Sequence, residues 1–509
     1  MNAVMSRLLC LTLILARLAL AQTTPCDIDN PCKVGCCGNG GLANNPSICG
    51  TGPTFCAPGN CTTNCDYKAE CDPGGWGPRY ATAETCPLHV CCSPFGFCGT
   101  TDEFCQGKTV PEPRCSGGNS MAGRVIGYYE GWSLENACDT MAPEDIPLGI
   151  YTHINFAFGY IDPSTYRVSS MDATTGSLYS RVTALKARNR GLQVWISVGG
   201  WSFTDPGPTA RTFSELAASE AAQAAFFASI ISFMSSNNFD GIDIDWEYPA
   251  ADDRNGSPED FQNFPSFLRN LRAALNASGF KFGLSITLPS SYWYMQHFDI
   301  VAIDPIVDYL NLMTYDLHGT WDSTDPFIGP LALAHTNLTE INQSLDLLWR
   351  NHINPTKVNM GIGFYGRSFT MKSSSCLAAG CEFTGGGNAG PCTQSSGILS
   401  DIEIREVIAA GARVELDPVA AVKIVTWDSN QWVSYDDQET LKMKVDFGNN
   451  LCIGGMIIWA IDLDDGKSIG FLGEALGKTP TRVLAAQDET NTGPDLLRRD
   501  AVRAVSFRA

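Results

Sequence analysis

The residues most able to do chemistry sit in one run, Asp240-Gly241-Ile242-Asp243-Ile244-Asp245-Trp246-Glu247. On an extended strand, side chains alternate faces, so Asp243, Asp245 and Glu247 share one face while Ile242, Ile244 and Trp246 share the other. Three carboxylates side by side at low dielectric repel one another. They coexist only by sharing protons and hydrogen bonds, which pushes their pKa values apart. Such a set suits general acid–base chemistry, with Glu247 at the strand end as proton donor and then acceptor. A metal site or an exposed acidic strand is the other use of clustered carboxylates. No His lies nearby and the flanks are apolar, so neither a metal nor a cofactor is expected.

That face must be held by a scaffold. From about Arg124 to Gly477 eight β-rich runs recur: RVIGYYEGW, THINFAFGYID, LQVWISVGG, FDGIDIDWE, KFGLSITLP, VDYLNLMTYD, VNMGIGFYG and GGMIIWAIDLD. Amphipathic stretches such as 221–237 and 261–277 separate several of them. Eight strands alternating with helices predict an α/β fold, a (β/α)8 TIM barrel over 123–477. In a barrel strand the polar face points inward, and Glu247 falls at the C-terminal end, where barrel active sites are built. The interval between the seventh and eighth runs is too long for one helix. Residues 368–427 are therefore expected to form an inserted α+β subdomain that walls one side of a groove.

The amino-terminal part has another texture. Fifteen of the 21 Cys lie between Cys26 and Cys115, among Gly, Pro, Asn and Thr. Such a segment cannot bury enough apolar surface and must be stapled by disulfides; zinc is the rival reading, and adjacent Cys pairs argue against it. Two blocks are expected, 22–66 and 67–115, the first with a structural role. Residues 1–21 read as a signal peptide: Arg7, an apolar run, then Ala19-Leu20-Ala21. A transmembrane anchor is the alternative, but the run is short and Arg17 interrupts it. A secreted, extracellular, monomeric protein with no membrane association follows, and five sequons (Asn60, Asn255, Asn276, Asn337, Asn342) become available. Residues 478–509 lose hydrophobic periodicity and are expected to be a disordered tail. A net charge of −20 excludes nucleic acid as a partner, because no basic stripe is present to neutralise phosphates. Removing the signal peptide takes Cys10 and leaves 15 head and five barrel Cys. Full pairing within one chain then requires a bridge between head and barrel, and Cys115 with Cys138 is the expected pair, fixing the head near the groove mouth.

The run CPLHVCCSPFGFCGTTDEFC (86–105) resembles the hevein-type chitin-binding module. The resemblance implies a sugar site at Ser93, Phe95, Phe97 and Phe104, with Cys86, Cys91, Cys92, Cys98, Cys105 and Cys115 among the bridging residues. The run at 240–247 resembles the D-x-x-D-x-D-x-E pattern of glycoside hydrolase family 18, the chitinases. Ser197-Val198-Gly199-Gly200, Met313-Thr314-Tyr315-Asp316 and Trp459 match further family marks. This implies substrate-assisted retaining hydrolysis of chitin and chito-oligosaccharides, outside the two-carboxylate scheme. Glu247, Asp245, Asp243 and Tyr315 would be the catalytic set, with Ser197 and Tyr129 hydrogen-bonding beneath Asp243. Phe156, Tyr248, Met313, Asp316 and Arg367 would shape the pocket. Trp459 would form its floor, and Trp201 and Trp321 would stack neighbouring sugars. An inactive lectin on the same fold, an endo-acting N-glycan hydrolase and a cell-wall interaction protein are the alternatives.

Overall fold

A computed structural model describes residues 25–41, 46–325 and 327–480. The signal peptide and most of the tail lie outside the described residues. The eight expected strands are present: β1 (Arg124–Glu130), β2 (His153–Ile161), β3 (Gln193–Gly199), β4 (Gly241–Asp245), β5 (Gly283–Pro289), β6 (Tyr309–Met313), β7 (Val358–Gly363) and β8 (Gly455–Trp459). Each pairs in parallel with the next, and β8 pairs with β1, closing the barrel. The strands are buried almost throughout, which is why they read as near-continuous Val, Ile and Leu runs. Trp195 and Tyr309 stack at 5.0 Å inside the barrel. The Trp195 ring lies on Gly241 and Gly283, where a Cβ would come within 2.5 and 2.1 Å of it, so only glycine fits at the start of β4 and β5.

Helices α1 (Ala173–Thr183), α2 (Glu220–Asn237), α3 (Asp260–Ala277), α4 (Leu338–Trp349) and α5 (Gln438–Asn450) cover the outside. Asp172, Ser219, Asn337 and Asp437 cap α1, α2, α4 and α5 by accepting hydrogen bonds from first-turn amides. No single described helix is long and apolar enough to cross a membrane; one bent pair, Thr212–Ala218 with α2, passes by length and composition.

The insertion is wider than expected. Only Phe364 separates β7 from the strand Tyr365–Met371, and the strand Gln431–Tyr435 returns beside it. The subdomain therefore runs from Tyr365 to Tyr435, with a helix at Asp401–Ala409 held by a Ser400–Glu403 capping box. Its core gathers Phe369, Phe383 and Trp432.

Both cysteine blocks carry one connectivity. In the first, Cys26–Cys37, Cys32–Cys49 and Cys36–Cys56 join first to fourth, second to fifth and third to sixth, and Cys61–Cys65 closes it. In the second, Cys71–Cys92, Cys86–Cys98 and Cys91–Cys105 repeat the order. The seventh, Cys115, has no eighth partner in its own block and bonds to Cys452 of the barrel. The parity expectation therefore holds, but the Cys115–Cys138 pair does not form. Cys138 bonds Cys392 of the insertion, and Cys376 bonds Cys381. The reason is position in the barrel. Cys115 donates its amide to Asn450 O at the end of α5, just before β8, whereas Cys138 follows β1 at the opposite rim. The seven residues of β1 put roughly 23 Å between the two rims. The covalent tether thus sits on the N-terminal face of the barrel, away from the groove mouth. The second block also packs along α4, where Asn351 donates to Leu88 O at 3.0 Å and Arg350 to His89 O at 3.2 Å.

Candidate active site

Asp243 sits mid-strand on β4, fully buried, and four neighbouring strands feed it hydrogen bonds. Tyr128 of β1 and Ser197 of β3 donate to Oδ2 at 2.8 and 2.9 Å. Ser285 of β5 and Asn311 of β6 donate to Oδ1 at 2.7 and 3.0 Å. Burial raises its pKa and the hydrogen bonds oppose that rise. Asp245, one layer higher, accepts from Thr287 at 2.5 Å. Burial, then the charges of Glu247 and Asp243, push its carboxyl well above the usual range. Glu247, just past the strand, is lifted to about 7 by burial, against the Tyr248 hydrogen bond and the Arg254 charge. The three-carboxylate face expected from the alternation is thus a buried file running up to the barrel mouth.

The backbone of Glu247 is pinned. Its carbonyl accepts from Thr204 Oγ1 and from Arg254 Nε, the latter at 3.1 Å. Arg254 also pairs with Asp205 at 3.0 Å and lies 3.6 Å over the Trp201 ring. Neither Thr204 nor Arg254 is picked out by the strand pattern. A lone Arg a few residues past an acidic strand is the one signal present.

Around the file, Trp459 ends β8 and stacks on Phe158 at 5.8 Å, with Tyr128 at 5.6 Å. Burial, then the charges of Asp245 and Glu247, push the Tyr315 hydroxyl well up. Burial disfavours a charged Asp316, yet its bidentate contact with Arg367, at 2.7 and 2.6 Å, holds it below the usual carboxylate range. Arg367 in turn lies 4.9 Å over Trp321, which is half exposed like Trp201. Tyr248 is buried and packs on Tyr294 at 4.4 Å. Met313 is partly buried, its carbonyl accepting from Ser290.

Two expected residues face the other way. Tyr129 donates to Met141 O at 2.8 Å and packs on Phe156, which meets Tyr179 at 4.8 Å in the layer between barrel and helices. Alternation places Tyr128, not Tyr129, beneath Asp243. On β2 the ladder with β3 skips Phe158: Ser197 stands opposite Ala157 and Val198 opposite Gly159. That irregularity turns Phe158, not Phe156, toward Trp459. A second buried carboxyl pair also escaped the sequence reading. Glu130 of β1 and Asp462 after β8 line a cavity of about 220 Å³ beside Trp132 and Trp459, with the Glu130 amide donating to Asp462 at 3.1 Å.

In the head, Phe95 is 47% exposed, Phe97 and Phe104 are half-buried, and the Phe104 ring lies on Gly99. Ser93 is buried and accepts from the Phe97 amide at 3.1 Å, shaping the loop that carries Phe95 and Phe97. The first block has the same Cys-Gly-x4-Phe-Cys spacing (49–56 against 98–105), and in both the Phe ring lies on the Gly.

A parallel (β/α)8 barrel with a carboxylate file ending at its C-terminal mouth defines a class of glycosidase-fold proteins. Residues 124–464 match Glycosyl hydrolases family 18, and the chain belongs to that family. Residues 77–115 match the chitin recognition protein family. A relative named secreted chitinase LysM12, of Penicillium expansum, is 32% identical over 441 residues, covering 78% of this chain and 29% of that protein. The chain thus spans under a third of that relative's length. Among solved structures, the second catalytic domain of the Ostrinia furnacalis group II chitinase superposes with a TM-score of 0.63 at 28% identity, over 70% of this chain and 97% of that one. Human YKL-39, described as a pseudo-chitinase that retains chitooligosaccharide binding, gives 0.61 at 27% identity, over 70% and 99%.

Proposed function

We propose that the protein is a secreted chitinase that hydrolyses β-1,4-linked N-acetylglucosamine by substrate-assisted catalysis with retention. One observation carries this reading: Glu247, lifted to about 7 by burial, ends a buried file of carboxylates whose lowest member, Asp243, is held by four hydrogen bonds. At neutral pH a substantial fraction of Glu247 holds its proton, as a general acid must. The proton goes to the glycosidic oxygen. The bond from that oxygen to C1 breaks as the acetamido oxygen of the same sugar bonds to C1, giving an oxazolinium ion. Asp245 accepts the acetamido N–H and faces the positive charge, and the Tyr315 hydroxyl positions the acetamido group. Glu247, now a carboxylate, takes a proton from water as the water oxygen attacks C1 and the ring opens. Two inversions at C1 leave its configuration retained. Trp459 underlies the reacting sugar, with Trp201 and Trp321 as stacking platforms beside it. The named activities of the relatives and the chitin recognition match support chitin as the substrate. The 20 cysteines left after removal of the signal peptide, all bridged, support an oxidising destination outside the cell.

Turnover of colloidal chitin tests this reading. Glu247→Gln is expected to lower kcat by about 10²–10⁴-fold while chito-oligosaccharides still bind. Near-normal turnover by the purified variant would remove Glu247 from its role.

A further inference from the structure

The second cysteine block and the barrel line an open cavity of about 240 Å³ outside the carboxylate site. One wall is Thr100, in the loop between Cys98 and Cys105 that carries the Phe104 ring. The facing wall comes from Tyr292, just after β5, and from Leu317 and His318, just after β6 and next to Asp316. The floor is α4, with Glu340 and Gln343. The cavity therefore borders both the head loop that leads to Phe104 and the barrel loops that follow β5 and β6.

Its chemistry is that of a sugar site. Glu340 lines the cavity with 32% of its side chain exposed, and its Oε1 accepts from His318 at 2.9 Å, so a carboxylate already oriented by a neighbour borders the space a sugar would fill. Gln343, exposed one turn further along α4, offers an amide able to donate and accept. Leu317 and the Tyr292 ring give an apolar surface for the face of a pyranose. The volume suits a single sugar unit better than a peptide segment.

We propose that this cavity holds one N-acetylglucosamine unit of a chitin chain lying between the head and the catalytic groove, so that the two modules bind one strand together. The proposal rests on the chitinase reading above for the identity of the polymer. It predicts that a barrel residue outside the groove governs retention on insoluble chitin, which neither an independent head nor the groove alone would give.

The test uses the full chain carrying Glu247→Gln, so that chitin survives, with binding to insoluble chitin measured by depletion. Gln343→Ala, at an exposed helical position where Ala is a good helix former, is expected to weaken binding about five-fold through one lost hydrogen bond. Gln343→Trp, which fills the cavity, is expected to weaken it at least ten-fold. In the active chain both variants should keep kcat/KM on a soluble two-sugar substrate within about two-fold. Unchanged retention for both variants, with a Glu247→Gln parent that binds chitin and an active chain that cuts it, overturns the cavity assignment and leaves the chitinase reading standing. A Glu247→Gln parent that does not bind chitin, with an active chain that does not cut it, overturns both.

Discussion

A glutamate in water gives up its proton near pH 4, and Glu247 keeps it to about 7 because burial denies the carboxylate its hydration. The Tyr248 hydrogen bond and the Arg254 charge pull the other way. On the proposed mechanism the acid form starts the reaction, so kcat/KM should fall as pH rises through about 7. Tyr248→Phe removes a group that favours the carboxylate, so the alkaline limb of the pH profile should move to higher pH. A limb that stays in place would show that Tyr248 does not set the pKa of Glu247. Asp245 differs from Glu247 in having the charges of both other carboxylates against it. Burial and both charges favour its protonated form, in keeping with the proposed role of turning toward substrate.

Between strands, alternation decides which neighbour reaches the file, and β1 offers a clean contrast. Tyr128 donates to Asp243 and Tyr129 to Met141 O, both at 2.8 Å. Tyr128→Phe should lower kcat by about ten-fold through one lost hydrogen bond to a buried carboxylate. Tyr129→Phe should leave kcat within two-fold and cost about 1 kcal/mol of stability. The pair is read by steady-state kinetics and thermal denaturation together, and equal kinetic losses would contradict the register of β1. The strands themselves were legible from the chain because each is a run of apolar residues with polar punctuation, and the file was legible because its period is two. The swaps of Tyr128 for Tyr129 and Phe158 for Phe156 were not. Two adjacent aromatics carry no mark of which one faces in, and the skipped residue in β2 exists only once β3 lies beside it. Arg254 was hidden for a related reason. It acts through the carbonyl of Glu247, and a backbone contact leaves no trace in residue spacing.

Across the whole molecule, the proposed reading gives the head's Phe residues a part in holding solid chitin and the barrel's carboxylate file the cutting of the chain. Phe95→Ala with Phe97→Ala should therefore reduce retention on insoluble chitin while turnover of soluble oligomers persists. Loss of both together would mean that the head supports the barrel fold. The cysteine ledger shows why the head could be counted but not placed. Parity demands a crossing bridge, yet only the direction of β1 and β8 reveals which rim Cys115 meets. That bridge also imposes an order in time. A ribosome adding 5–20 residues per second needs roughly 20–70 s to travel the 337 residues from Cys115 to Cys452. Throughout that interval the second block has three of its bridges available and one thiol without its mate. The last staple of the first-made region can close only after Cys452, just ahead of the barrel's final strand, has left the ribosome. A chain truncated between Cys115 and Cys452 would carry Cys115 without its mate, a mark by which incomplete molecules can be told from finished ones.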